Sequence, residues 1–144
     1  MMIQASSAVE IRAASRGLHD ITTQVCEWID SQRIDSGLLT IFCAHTSASL
    51  VIQENAARAA RHDLERFFER VAPESPSLYT HNDEGPDDMP AHIRSALTQT
   101  QLSIPVREGR MLLGAWQGIF LFEHRHGTPP RRIILHLIGE ANEP

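Results

Sequence analysis

The sequence predicts a single α+β domain over residues 1–144, built on a largely antiparallel or mixed β-sheet with two or three helices. Segments of helical period interrupt a strand-rich chain without the regular alternation that builds a doubly wound sheet. A chain of 144 residues encloses one core and is too short for two. Nor does any repeat, low-complexity tract or linker divide it.

Each element has its own signal. Residues 3–13 carry Ala5, Val9, Ile11 and Ala13 at odd positions, the period of a half-buried strand. After Gly17, the residues Leu18, Ile21, Val25, Trp28 and Ile29 recur at three- and four-residue intervals, predicting an amphipathic helix that ends near Asp30. The run 38–44, apolar except for Thr40, predicts a buried central strand that delivers His45 at its end. A second helix is predicted over 54–71 from Ala59, Leu64, Phe67, Phe68 and Val71, with Pro73 and Pro76 ending it. Residues 75–88 form a long polar loop leading into a short helix at 89–97. The strand-like segments 102–106, 110–115, 117–123 and 131–138 then make the C-terminal half antiparallel sheet.

Composition narrows the function classes. With 42% hydrophobic and 22% charged residues the chain reads as globular. A net charge of -5 disfavours nucleic acid, whose affinity comes mostly from Lys and Arg on phosphates. No stretch is long and apolar enough to span a membrane, so a cytoplasmic protein is expected. Cys26 and Cys43 lie in apolar neighbourhoods and read as reduced core thiols. Eight histidines are the compositional oddity, because imidazole titrates near neutrality and ligates metals.

Two segments concentrate chemistry. The first, 45–49, follows a strand and precedes the second helix; Thr46 and Ser47 with their backbone N–H groups can bind a phosphate or simply cap that helix. His45 stands at the strand end. The second, 79–92, places His81 and His92 among Asp83, Glu84, Asp87 and Asp88. A loop can fold both imidazoles towards one point, with carboxylates as supporting partners, so His45, His81 and His92 form the candidate metal set. Their spacing matches no standard zinc pattern, and Asp87 or Asp88 can serve merely as a helix cap. Glu54, Asn55 and Asp63 are the polar residues of the second helix that can face the site, whereas His62 reads as a surface residue. Trp116 and Gln117 stand between glycines, the Trp either in the core or against a heteroaromatic ligand. Glu123, Arg125 and the pair Arg131 and Arg132 can meet an anionic group or simply solubilise a turn; His124 and His126 are expected to be exposed.

The runs HTSASL (45–50), HDLERFF (62–68), DDMPAHI (87–93) and WQGIFLFEHR (116–125) resemble, in order and spacing, the YjbQ family, often labelled secondary thiamine-phosphate synthases. The resemblance implies a YjbQ-like α+β fold, a homotrimer and a polar pocket onto which His45, Ser47, Glu54, Asn55, Asp63, His81, Asp88, His92, Trp116, Gln117 and Glu123 map. Three departures stand out: Ala115 where the family has Thr, Ala57 and Arg58 where it has Asp and Pro, and Gln99, Thr100 and Gln101 for a Gly-Thr-Ser run.

On this reading His81, His92, Glu54 and Asp63 are the candidate catalytic residues. Thr46, Ser47, Asn55, Asp88, Trp116, Gln117, Glu123 and Arg125 contact a small phosphorylated metabolite. The divalent metal is zinc or magnesium. Three functions compete: weak thiamine-phosphate synthase chemistry, which joins a thiazole phosphate to a pyrimidine diphosphate; metal-dependent hydrolysis with Glu54 or Asp63 as base; and non-catalytic metabolite binding by a trimer.

Overall fold

The computed structural model describes residues 1–141. In chain order the elements are β1 (Met2–Ile11), β2 (Gly17–Asp20), α1 (Thr22–Asp30), β3 (Ile34–Cys43), β4 (Ala48–Glu54), α2 (Arg58–Val71), α3 (Asp88–Leu97), β5 (Gln101–Arg107), β6 (Arg110–Met111), β7 (Gln117–Glu123) and β8 (Arg131–Ala141). A short 3-10 turn lies at Pro76–Leu78. The strands make a five-stranded sheet ordered β1-β8-β3-β5-β6 and a three-stranded sheet ordered β2-β7-β4, every pair antiparallel. This is the single α+β domain that the sequence predicts.

Side-chain alternation explains the layering. In β7, Ile119 and Leu121 point into the main core with Leu39, Ile41, Ile133 and Leu135 of the larger sheet. Their neighbours Phe120 and Phe122 point the other way, to Leu64 and Phe68 of α2. The smaller sheet is thus buried on both faces, and α2 forms the third layer. Each fully buried aliphatic or aromatic side chain contributes roughly 1.5–3 kcal/mol of transfer free energy. Gly37 and Gly139 face each other in the β3–β8 pair, where a Cβ on either would collide with the opposite backbone.

The larger sheet has one open face. Leu38, Thr40 and Phe42 of β3 stand beside Ile138, His136 and Ile134 of β8. Leu38 is 43%, Phe42 42% and Ile138 38% exposed, a row of apolar side chains facing solvent. The run 38–44 reads as a fully buried strand, but only alternate residues, Leu39, Ile41 and Cys43, reach the core.

Other differences are local. Gly17–Asp20 is a strand, and α1 begins only at Thr22, where the backbone N–H binds Asp20 Oδ1. Ala48–Glu54 is a strand buried through Leu50, so the turn at His45 leads into β4 and the second helix starts at Arg58. Of the strand expected over 110–115 only Arg110–Met111 pairs, leaving a loop to Trp116. Cys26 is exposed rather than a core thiol; Cys43 is buried, and burial pushes its thiol up to about 11.

Candidate metal centre

Asp88 opens α3, and His92 follows one turn later on the same helix face. The preceding loop folds His81 back over them. Asp88 Oδ2 lies 2.9 Å from His81 Nε2 and 3.1 Å from His92 Nε2. Glu84 Oε2 is 3.9 Å from His81 Nε2. Each of these four residues offers one ligand atom, all within 4.8 Å of one another. His92 Nδ1 lies 2.9 Å from the carbonyl oxygen of Thr46, which ties α3 to the turn after β3.

Arg125, just past β7, locks the loop in place. Its Nε donates to Asp87 Oδ2 at 3.0 Å, Nη1 to Asp88 Oδ1 at 2.6 Å and Nη2 to the Glu84 carbonyl at 2.9 Å. Burial works against the charged forms of both carboxyls. For Asp88 it is outweighed by hydrogen bonding to His81 and Glu84 and by the charges of His92 and Arg125, so the group titrates below the ordinary range. For Asp87 the His126 N–H and Arg125 do the same. A buried carboxylate is therefore presented to two imidazoles.

The hydrogen accounting is restrictive. A carbonyl oxygen accepts only, so His92 Nδ1 carries the proton it gives to Thr46. A neutral His92 then aims its Nε2 lone pair at the anionic Asp88 oxygen, a repulsive contact unless a cation or a second proton lies between them. Histidines that ligate metals characteristically donate the other ring N–H to a carbonyl or carboxylate. In tetrahedral zinc sites with bonds of about 2.0–2.1 Å, ligand atoms stand about 3.3 Å apart. The separations of 2.9, 3.1 and 3.9 Å bracket that value.

His45 does not join this group, so the expected trio of histidines becomes His81, His92 and Asp88, with Glu84 at the rim. Its Nε2 accepts the backbone N–H of Arg132 at 2.7 Å, which commits that lone pair to β8. Burial and the Arg131 charge lower its pKa, in keeping with a neutral acceptor. His45 instead lines an open hollow of about 660 Å³ with Phe42, Cys43, Ala44, Thr46, Ser47 and Thr100.

Ser47 and Glu123 are occupied by Arg131. The guanidinium reaches Ser47 Oγ at 2.9 Å and the Ser47 carbonyl at 3.0 Å, and it pairs with both Glu123 oxygens. Glu123 also accepts the Arg125 N–H at 3.1 Å. These buried groups hold the Thr46 carbonyl and Arg125 where the centre needs them. The role of Arg131 was readable from phase: it alternates with the inward residues Ile133, Leu135 and Leu137, so its charge required a buried partner.

The remaining predicted residues form a separate cluster. Ala48 pairs with Glu123 and Glu54 with Gln117, so Glu54 stands six strand steps from the Glu123 end, about 20 Å away. Glu54 Oε2 accepts the N–H groups of Ala56 and Ala57 at 2.9 and 2.6 Å, which fixes the turn that leads into α2. Asn55 donates to the carbonyls of Ala115 and Gln117, and Gln117 Oε1 accepts the Gly114 N–H at 2.7 Å. Trp116 is 68% exposed, neither core nor covered by any ligand-binding wall of its own chain. Asp63 and His62 are exposed on α2.

His124 is a further correction: it is fully buried, with Nε2 2.8 Å from Ser49 Oγ. Burial and the nearby charges of Arg94, Arg131 and Arg16 push its pKa down to about 3. Its position beside a strand end hid this, because β7 is buried on both faces and the alternation that should expose it fails. His126 is exposed as expected, with Nε2 2.6 Å from Glu74.

Comparison with known proteins gives one consistent answer. Residues 7–140 match the family model described as UPF0047 protein YjbQ-like. The chain is 46% identical over 131 residues to a UPF0047 protein of Synechocystis, covering 91% of this chain and 89% of that one. It is 47% identical to YjbQ of Escherichia coli O157:H7, covering 90% and 94%. A YbjQ-like protein of unknown function from Sulfolobus solfataricus P2 superposes with a TM-score of 0.89 at 29% identity, covering 97% of this chain and 100% of that one. An uncharacterised conserved protein from Clostridium acetobutylicum does so with a TM-score of 0.82 at 26% identity, covering 91% and 98%. On the match of nearly its whole length, this chain belongs to the YjbQ-like UPF0047 family.

Proposed function

We propose that His81, Asp88 and His92 hold a divalent transition metal and that the centre acts on a small phosphorylated metabolite. The observation that carries this reading is the shared Asp88 oxygen facing two imidazole Nε2 atoms while His92 Nδ1 is committed to the Thr46 carbonyl. Two nitrogen donors with a carboxylate suit zinc or another transition metal; magnesium, the other ion expected, prefers an all-oxygen shell. Exposed Glu84 can complete the shell or yield its place to substrate. Thr46 and Arg132 are exposed beside the hollow and suit an anionic group. We further propose that the chain assembles as a closed trimer, for which the exposed apolar row of Leu38, Phe42 and Ile138 provides a surface.

The reaction favoured by the family likeness joins a thiazole phosphate to a pyrimidine diphosphate. The thiazole nitrogen takes the pyrimidine's methylene carbon as diphosphate leaves. Such a step needs cationic support for the departing oxygens, which a metal at His81, Asp88 and His92 supplies. The test combines the zinc-loaded protein with both substrates. Slow formation of thiamine phosphate, abolished in His81→Ala and His92→Ala with the fold intact by circular dichroism, supports the synthase reading. Hydrolysis of the diphosphate without the joined product favours the second reading, a metal-dependent hydrolase. That alternative draws support from Glu84, a 65% exposed carboxylate 3.9 Å from His81 Nε2. Binding without turnover leaves a metabolite-binding protein.

A further inference from the structure

Where β7 ends, Glu123 and His124 turn to different partners. Glu123 goes to the Arg131 guanidinium, whereas His124 continues the Phe120 and Phe122 side of the strand, its ring 4.3 Å from that of Phe122, centroid to centroid. On that side lies a cavity of about 60 Å³ beneath the last turns of α2, walled by His124, by Glu65 and Glu69 of the helix, by Arg94 of α3 and by Arg16 before β2. Two groups of this wall lack what a buried donor needs. His124 is fully buried; its Nε2 lies 2.8 Å from the Ser49 hydroxyl, and its Nδ1 has no hydrogen-bond partner among the described residues. With Ser49 donating to Nε2, Nδ1 carries the ring's hydrogen and has nothing to give it to. Arg94 is 3% exposed. Its Nε and Nη2 donate to the Phe68 and Ala72 carbonyls at 3.3 and 2.8 Å, closing the C-terminus of α2, yet no carboxylate among the described residues pairs with it. A helix end brings only about half a negative charge to meet that cation.

From this arrangement we infer that the cavity is an anion site, holding one monovalent anion of halide size between the Arg94 guanidinium and the His124 Nδ1–H. The site is separate from the metal centre and does not rest on the metal reading above. Charge selects an anion over water. A water can receive the Nδ1 hydrogen, but it leaves the guanidinium as a buried charge without a counter-ion, one of the costlier features a fold can carry. Burial and the Arg16 charge already pull the Arg94 pKa below its ordinary range. The charges that act on His124 are those of Arg94, Arg131 and Arg16, so the field at the ring is positive. The carboxylates of the wall are committed elsewhere. Glu69 pairs with Arg16 at 2.9 Å, Glu123 with Arg131, and Glu65 Oε1 accepts the Leu18 N–H at 2.9 Å. Glu65 and Glu69 also reach solvent, where their charges are screened. Size separates this occupant from the substrate of the metal centre, because about 60 Å³ admits a halide but no phosphorylated metabolite. Held there, the anion ties the end of β7 to α3 and to the last turn of α2.

Bromide is the probe, with sodium gluconate, whose anion is too large for the cavity, holding the ionic strength constant. In urea unfolding of the full-length chain, the unfolding equilibrium constant should fall about tenfold for each tenfold rise in bromide once the site saturates. His124→Phe keeps a ring and removes both nitrogens, so it should abolish that dependence. Arg94→Met should do the same; if it loses the closure of α2 and does not fold, His124→Phe alone decides. Crystals of the native chain soaked in bromide should show an anomalous peak within hydrogen-bonding distance of both Arg94 and His124 Nδ1. Water alone in the cavity at saturating bromide, a native stability indifferent to bromide, or a His124→Phe variant with the native dependence overturns the inference. So does a peak that appears only at molar bromide with no effect in solution.

Discussion

Asp88 is 1% exposed, yet it is the point at which two imidazoles and a guanidinium meet. Asp88→Asn keeps its shape and removes its charge, so zinc affinity should fall by about a hundredfold or more by calorimetry. Stability should also fall by about 1–3 kcal/mol in urea, because Arg125 loses an ionised acceptor in a partly buried place. Histidine type alone singled out His81 and His92 in the sequence, but not the preference of His45 for the Arg132 backbone. That contact joins residues 87 positions apart and leaves no local trace. His124 makes a separate prediction. Its folded pKa is depressed to about 3, so between that value and the unfolded value near 6.5 only the unfolded chain binds the proton. Stability is then complete above about pH 6.5 and lost as pH falls, at about 1.4 kcal/mol per pH unit from this group. His124→Gln should flatten the stability-against-pH curve between pH 4 and 6 by about one proton. A slope identical to that of the native protein counts against the buried neutral state.

At the scale of elements, the match between period and structure depends on how many faces are buried. β7 runs from Gln117 to Glu123, the span its sequence predicts, and β5 and β8 differ from expectation only at their ends. β2 and β4 are not legible from period, for different reasons. Leu18 and Ile21 fit a helical stripe that α1 continues, whereas Ala48–Glu54 is buried towards both the core and α2 and shows no alternation. Once β4 is a strand, Glu54 is no longer the first turn of a helix facing a pocket but the residue that ties the turn between β4 and α2. Glu54→Ala should therefore cost about 1 kcal/mol of unfolding free energy, the net worth of the turn hydrogen bonds it loses. In a chain held monomeric by Phe42→Arg, it should leave zinc affinity unchanged; a large loss of affinity there would place Glu54 at the metal after all.

For the molecule as a whole, one polar pocket was expected and each chain carries two separate clusters. No local sequence pattern separates them, because both are assembled from distant segments. The open face built from Leu38, Phe42, Ile134 and Ile138 is legible only after β3 and β8 are paired. Light scattering of the native protein at micromolar concentration should give the mass of three 16.1-kDa chains, and Phe42→Arg should give one. A monodisperse monomer from the native chain would remove the trimer and leave the apolar row unexplained.

The central claim is the metal centre, and diffraction from zinc-soaked crystals, recorded above and below the zinc absorption edge, tests it most directly. The account predicts one anomalous peak per chain, about 2.0–2.1 Å from His81 Nε2 and His92 Nε2 and within bonding distance of Asp88 Oδ2, absent from the His81→Ala, His92→Ala double variant. Saturating zinc with no peak between those three side chains, or a peak that survives in the double variant, would contradict it.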